Sequence, residues 1–400
     1  MPTTVTPSTY SIELRDSDFN LKQKIEMYVT KISWEWNRLG GCGKCLITID
    51  GDYLRFKVEA DDDIRIYIPN ATSGATLWYR GYVEMVTPFV GGDTSSIQIE
   101  CMGYFGWVDR IIIHDSGEPK VYTAQEISAT VSDIVTNFLD PSSPISAGTI
   151  QASAFTPDEL SFKVTARDAL RTLYDLLGTV EYGVDASLNF FWYNQSDTIT
   201  YKYYIGDKIT KINDRVDYKN IVNSIFFEGG TVDEVIFAKF GQSTSSQNRY
   251  GKHEAIISNG SIITNSVASQ FISSTLAKRA KPQRQMSVSF VNLPDRLEST
   301  LPIGAISIVD PDDVQVSAIY GTTGNGGDNK IYGRTQIGGS GQLYGGVKRD
   351  QVDRITYTLS PENGRINAEI QFGSSLTYSR ASATLNRIDQ SLNAVRQRGL

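Results

Sequence analysis

The stretch Ile32–Ile49, ISWEWNRLGGCGKCLITI, decides how this chain is read. It contains Cys42-x-x-Cys45, a spacing shared by half zinc sites and thiol–disulfide active sites. Zinc needs four ligands, and the remaining Cys101, His114 and His253 offer no second pair. A redox Cys-x-x-Cys opens a helix, whose N-terminal dipole lowers the thiol pKa. Here the motif runs into CLITI, an alternating strand. Cys45, Ile47 and Ile49 then share one face, so Cys45 reads as a small buried hydrophobe. Cys42 is expected in a turn at Gly40–Gly43. The stretch is therefore strand, glycine turn and strand, and its two thiols fill space.

Alternation continues on both sides. YSIELRD begins it at Tyr10. CLITIDGDYLRFKVEA sets Asp50-Gly51 between two alternating runs, a hairpin signal. DDDIRIYIPN sets Ile64, Ile66 and Ile68 against Arg65 and Tyr67, and ATLWYRGYVEMVTP and SSIQIECMGY flank a turn at Gly91-Gly92-Asp93. From Tyr10 to His114 this predicts an antiparallel sheet or barrel of about six strands.

The period then changes. Thr123-x-x-Glu126 reads as a capping box, and Ile127, Val131, Ile134, Val135 and Phe138 keep helical spacing until Asp140-Pro141. A second helix is predicted over about Thr165–Leu177, with Leu170, Leu173, Tyr174 and Leu177 inward and Gly178 as its left-handed cap. VEYGVDASLNFFWYN follows as a hairpin turning at Asp185-Ala186-Ser187. Strand patterns return in IVNSIFFEGG and TVDEVIFAKF, a third helix is expected from about Asn265 to Lys281 before Pro282, and RQMSVSFVN, AISIVD, RITYTLS and INAEIQFG read as strands.

Two features stand apart. Tyr320, Tyr332 and Tyr344 lie 12 residues apart, each followed by Gly. They mark short strand-and-turn units in a surface loop over 317–347, either contacting a partner or packing locally. Beyond Ser374 the pattern is helical, and Leu385, Ile388, Leu392 and Val395 are spaced 3, 4 and 3. That seam of two heptads is too short to stand alone. It reads either as a candidate subunit interface, registering copies already held together, or as a helix that packs on its own domain or frays.

Composition bounds the function. The 400 residues are 40% hydrophobic and 21% charged, which fits a soluble protein with a sizeable core. The net charge of −7 argues against a protein that grips nucleic-acid phosphates. No apolar run approaches the roughly 18–20 residues needed to span a bilayer. The start, MPTTVTPSTY, lacks a basic region followed by an apolar stretch, so no secretory signal is expected. Three cysteines are too few for a disulfide scaffold and point to synthesis in a reducing cytoplasm. No metalloprotease His-Glu-x-x-His motif, Gly-x-Ser-x-Gly elbow or P-loop occurs. Asp61-Asp62-Asp63 lacks the spaced ligands of a calcium loop and reads as a solvated turn. Catalytic residues, metals and cofactors are accordingly none.

Four stretches in order carry a resemblance: SWEWNRLGGCGKCLITI; LWYRGYVEMVTP with SIQIECMGYFGWVDRIII; EYGVDASLNFFWY with NIVNSIFFEGG; and RYGKHEAIISNGSIITNSVASQFISSTLAKRAKPQRQMSVSF. Together they span most of 10–375, and the chain resembles the tail hub proteins of tailed bacteriophages, the baseplate or tail-tip hub group. The resemblance implies a mainly β fold with an α+β insertion: two tail-tube-like antiparallel β-barrel domains, a small α+β domain and a C-terminal helix. The expected boundaries are 8–118 for the first barrel, completed by about 205–235, then 119–204 for the insertion, 205–375 for the second barrel and 376–400 for the helix.

The resemblance also implies a structural virion protein, made in the bacterial host cytoplasm, with no enzymatic activity. It implies a homotrimer whose barrels form a ring matching a six-fold tube. Its partners would be the tail tube or distal tail protein, the tape-measure protein and the tip or fibre proteins, with DNA only in transit. An acidic wall suits sliding DNA, because like charge prevents tight binding. Two other readings compete. Trp34, Trp36, Trp78, Trp107, Trp192 and the Tyr-Gly repeat would suit a carbohydrate- or receptor-binding tail protein. A glycosidase needs only two carboxylates, although no further catalytic domain is visible.

Overall fold

The structure, a computed structural model, describes residues 10–51, 57–70, 74–91, 94–153, 155–196, 198–205, 207–232, 235–293, 296–309 and 348–373. The Tyr-Gly repeat, with Tyr320, Tyr332 and Tyr344, and the seam of Leu385, Ile388, Leu392 and Val395 lie outside the described residues.

The first strands are β1 (Ser11–Arg15), β2 (Leu21–Lys24), β3 (Val29–Asn37), β4 (Leu39–Asp50), β5 (Asp63–Asn70), β6 (Gly74–Gly91) and β7 (Thr94–Gly103). They are ordered β3-β4-β7-β6-β5-β1-β2, every neighbouring pair antiparallel. Two-residue alternation sets the buried face: Ile12 and Leu14, Ile47 and Ile49, Ile64 and Ile66, and Ile97 and Ile99 are all fully buried. Gly91 pairs with Thr94, as the expected turn requires. The run after Asp50-Gly51 lies partly outside the described residues, and no described strand follows it as a hairpin partner of β4. Both edges of β4 are already taken, by β3 and β7, and the Gly51 N–H donates to Ser95 O at 3.0 Å.

The middle of the chain forms β8 (Ile112–Ile113), β9 (Lys120–Thr123), α1 (Ile127–Ile134), β10 (Ser146–Ile150), β11 (Glu159–Phe162), β12 (Val164–Thr165), α2 (Ala166–Leu177), β13 (Val180–Val184) and β14 (Asn189–Asn194). The capping box is replaced by another device. Thr123 ends β9, and Glu126 itself occupies the N-cap of α1. Ser153 Oγ accepts the Ser128 N–H at 3.2 Å, while the Glu126 carboxylate accepts the Ser153 N–H at 2.6 Å. Helix α2 follows its sequence closely. Thr165 Oγ1 accepts the Asp168 N–H at 3.2 Å, and Gly178 closes the end at φ +80°. Asp185 holds the β13–β14 turn by accepting the N–H groups of Ser187 and Asn189.

The remaining elements are β15 (Ile199–Tyr204), β16 (Ile209–Asp217), β17 (Ser224–Val232), β18 (Val235–Gln242), α3 (Thr244–Tyr250), β19 (Glu254–Ser258), α4 (Asn265–Arg279), β20 (Gln283–Phe290), β21 (Ala305–Val309), β22 (Lys348–Ser360) and β23 (Arg365–Phe372). Strand β22 pairs with β3, so one sheet runs β16-β20-β23-β22-β3-β4-β7-β6-β5-β1-β2. The chain is mainly β, and β13 joins the sheet by running parallel to β4.

Two apolar cores result. The sheet core joins both ends of the chain: Trp34 of β3 stacks on Tyr357 of β22 at 5.5 Å, and Trp78 of β6 meets the same tyrosine edge-on at 5.3 Å. The second core gathers α1, α2 and β13–β14 together with β17 and α4, where Phe227 faces Phe271 at 5.2 Å.

Candidate functional site

Cys42, Cys45 and Cys101 are free and buried. Cys45 lies opposite Cys101 across β4 and β7, as a space filler would. Cys42 is not in a turn: it belongs to β4, opposite Trp36, because the β3–β4 reversal falls at Arg38. Burial pushes the Cys42 thiol up to about 12 and also raises Cys45, so neither is a thiolate near neutral pH. His114 Nδ1 accepts the Gly117 N–H at 3.2 Å, and His253 Nε2 lies 3.0 Å from the Tyr250 carbonyl oxygen. Among the described residues, no cluster of three or more His, Cys, Asp or Glu side chains could hold a metal, and no helix is long and apolar enough to cross a membrane.

The Asp61-Asp62-Asp63 run is not a solvated turn. Each carboxylate has its own cation. Asp63 is fully buried and accepts from Arg65 Nε at 2.6 Å, Arg80 Nε at 2.8 Å and the Tyr104 hydroxyl at 2.9 Å. The Arg80 guanidinium also lies 4.4 Å from the centre of the Phe19 ring. Asp62 is buried and accepts from Lys22 at 3.0 Å and from the Glu59 N–H at 2.8 Å. Only Asp61, paired with Arg110 at 3.1 Å, is substantially exposed. The network ties the β1–β2 loop, β5, β6 and the turn of 3-10 helix at Tyr104–Arg110 into one body.

A second buried group of charges lies where β13, the β3–β4 turn and β22 come together. Arg38 and Asp353 approach to 3.6 Å, and the Arg38 N–H donates to Asp353 O at 2.9 Å. Glu181 of β13 is buried nearby and accepts the Ile303 N–H at 3.4 Å. Desolvation raises its pKa, and the Arg38 charge pulls it part-way back. Arg296 pairs with Glu298 at 3.0 Å, and the Tyr357 hydroxyl donates to Glu298 at 2.6 Å. These carboxylates bind side chains and backbone of neighbouring elements.

Trp34, Trp36, Trp78 and Trp192 are buried and Trp107 is half-buried, so the tryptophans offer no exposed platform for sugar rings. What the surface does present is apolar sheet. The three strands β18-β17-β19 pack one face on α4, and no described element packs on the other. Phe240, Phe226 and Ile256 lie side by side in register across that other face, 46%, 48% and 70% exposed. The two phenylalanine rings are 4.9 Å apart. At one end of the main sheet, β16 pairs only with β20 among the described strands, and Val216 within it and Tyr218 just after it are exposed. At the other end is β2, four residues long, carrying Lys22 and Lys24. Short, charged edges resist pairing and long ones invite it. Sequence patterning marked β17 and β18 as strands without showing this face. The signal was in VIFAKF, which is apolar in both phases of the alternation.

No protein-family model matches the chain, and no curated protein does. Solved structures do. A tail protein from Neisseria meningitidis MC58 superposes with a TM-score of 0.59 at 8% identity, over 92% of this chain and 97% of that one. The 43 kDa tail protein of prophage MuSo2 from Shewanella oneidensis gives 0.58 at 12% identity, over 92% and 98%. The fold is that of phage tail proteins. A prophage tail protein from Listeria monocytogenes EGD-e agrees, with 0.53 at 10% identity over 95% of this chain and 99% of that one. At such identities the likeness lies in topology, and no residue role passes from one chain to another.

Proposed function

We propose that this chain is a structural component of a bacteriophage tail, the hub of its tip or baseplate. In this reading three copies close into a ring of tube-like β units. The ring joins the tail tube above to tip or fibre proteins below and encloses the passage for tape-measure protein and then DNA. The observation that carries the proposal is the likeness to tail proteins over 92% of the chain. Supporting it, the buried carboxylates and thiols are structural, while apolar side chains and a strand edge stand open at the surface. Surfaces of that kind are covered on assembly.

The Tyr-Gly repeat with Tyr320, Tyr332 and Tyr344 is the proposed contact to a partner. The seam Leu385, Ile388, Leu392 and Val395 is a proposed association surface, toward a neighbouring copy or its own chain. The channel wall is proposed to be acidic or neutral polar, in keeping with the net charge of −7. The test is removal of the gene from the phage that encodes it. Tails lacking their tip, or no tails, are the expected product; complete infectious tails assembled without the chain overturn the proposal.

A further inference from the structure

We propose that the open face of β18-β17-β19 receives the chain's own C-terminal segment, residues 376–400, through the seam of Leu385, Ile388, Leu392 and Val395. The face supplies an apolar row, Phe240–Phe226–Ile256, lying between two carboxylates. On one side is Glu254, exposed and shared with Lys252; on the other is Glu228, whose partner is the Ser258 hydroxyl at 3.0 Å. The segment supplies the complement. Its seam is apolar, and its charged residues are Arg380, Arg387, Arg396 and Arg398 against Asp389. In heptad register Arg396 and Arg398 flank the seam, where they meet carboxylates beside an apolar row. A two-heptad helix is marginal alone, so it needs a receiving surface of this kind.

The last described strand ends beside the start of β20, a few residues past the end of α4. Phe372 pairs with Met286, and the backbone of Gly373 lies against Arg284, since a Cβ there would come within 2.1 Å of Arg284 O. Arg284 is five residues beyond the end of α4 at Arg279, whose carbonyl accepts the Val222 N–H at 2.9 Å. Two residues on, Ser224 opens β17 and pairs with Gln242 and Glu254 at one end of the open face. Residues 374–384 can span about 36–40 Å when extended, several times the width of a three-stranded row. A helix over 385–395 is about 15 Å long, against about 10 Å for a row across three strands.

The test uses the full-length chain carrying Ile256→Cys and Leu392→Cys, treated with a short bismaleimide. The native thiols are buried and leave the new pair to react. A crosslink between positions 256 and 392 within one chain is the expected result. A crosslink only between chains, or none, overturns the proposal. Hydrogen exchange gives a second measurement that needs no new thiols. Amides of 385–395 should be protected about tenfold or more over the unfolded rate in the parent and lose that protection in Phe226→Glu, with β17 itself still protected. Unchanged exchange at 385–395 counts against docking. The number of chains per particle is read on the same sample, so failure of this docking and failure of the ring are separate results.

Discussion

Asp63 and Arg80 form a buried ion pair, carboxylate to Nε at 2.8 Å, with Asp63 fully excluded from solvent. Two residues away Asp61 meets Arg110 at the surface. Removing one partner of a buried pair leaves an uncompensated charge, which costs roughly 3–5 kcal/mol, whereas an exposed pair is worth about 0–1 kcal/mol. Asp63→Ala is therefore expected to cost several times what Asp61→Ala costs, measured by urea unfolding. Equal costs would mean that the network does not fasten β5 to β6 and the Tyr104–Arg110 turn.

Gly183 and Gly41 meet where β13 joins the sheet. A Cβ on Gly183 would fall 2.2 Å from the carbonyl carbon of Gly40, and one on Gly41 would fall 2.1 Å from Val184 O. Parallel pairing of β13 on β4 thus requires bare backbone on both sides. Gly183→Ala is expected to cost about 2 kcal/mol or more, because backbone cannot yield as a side chain does. Gly260→Ala, where a Cβ meets nothing within 4 Å, serves as the near-neutral control. A Gly183→Ala protein as stable as the control would refute the joint.

Glu181 gives a pH dependence. Its folded-state pKa is raised by burial, with Arg38 offsetting part of the rise. The folded chain then holds this proton more tightly than the unfolded one, so the contribution is present below the ordinary carboxylate range and is lost as pH rises through the folded value. Glu181→Gln should accordingly be more stable than the parent at pH 7–8, by on the order of 1 kcal/mol, with the gain vanishing near pH 4. Thermal melts across that range measure it; a variant weaker than the parent at pH 8 contradicts the sign.

Much of the fold was legible because its strands bury one face. Ile64, Ile66 and Ile68 alternate in the sequence and are buried in β5, and Gly178 ends α2 as its position predicts. The failures share a cause. Asp63, which the sequence reads as part of a solvated turn, lies with Arg65 on the other face of β5, and the Tyr104–Arg110 turn, about forty residues away, meets it there. Asp50-Gly51 has the local signature of a hairpin, yet local rules do not register that β4 already has two partners. The Phe240–Phe226–Ile256 row was hidden for the same reason: alternation tells two faces apart, and tertiary packing decides which one meets α4.

The central claim is a ring of this chain, and electron microscopy of the purified full-length protein tests it most directly. Class averages should show particles of three 44.3 kDa chains around an open bore, with three-fold symmetry. Solitary molecules at concentrations where obligate assemblies persist, or closed particles without a bore, would contradict it.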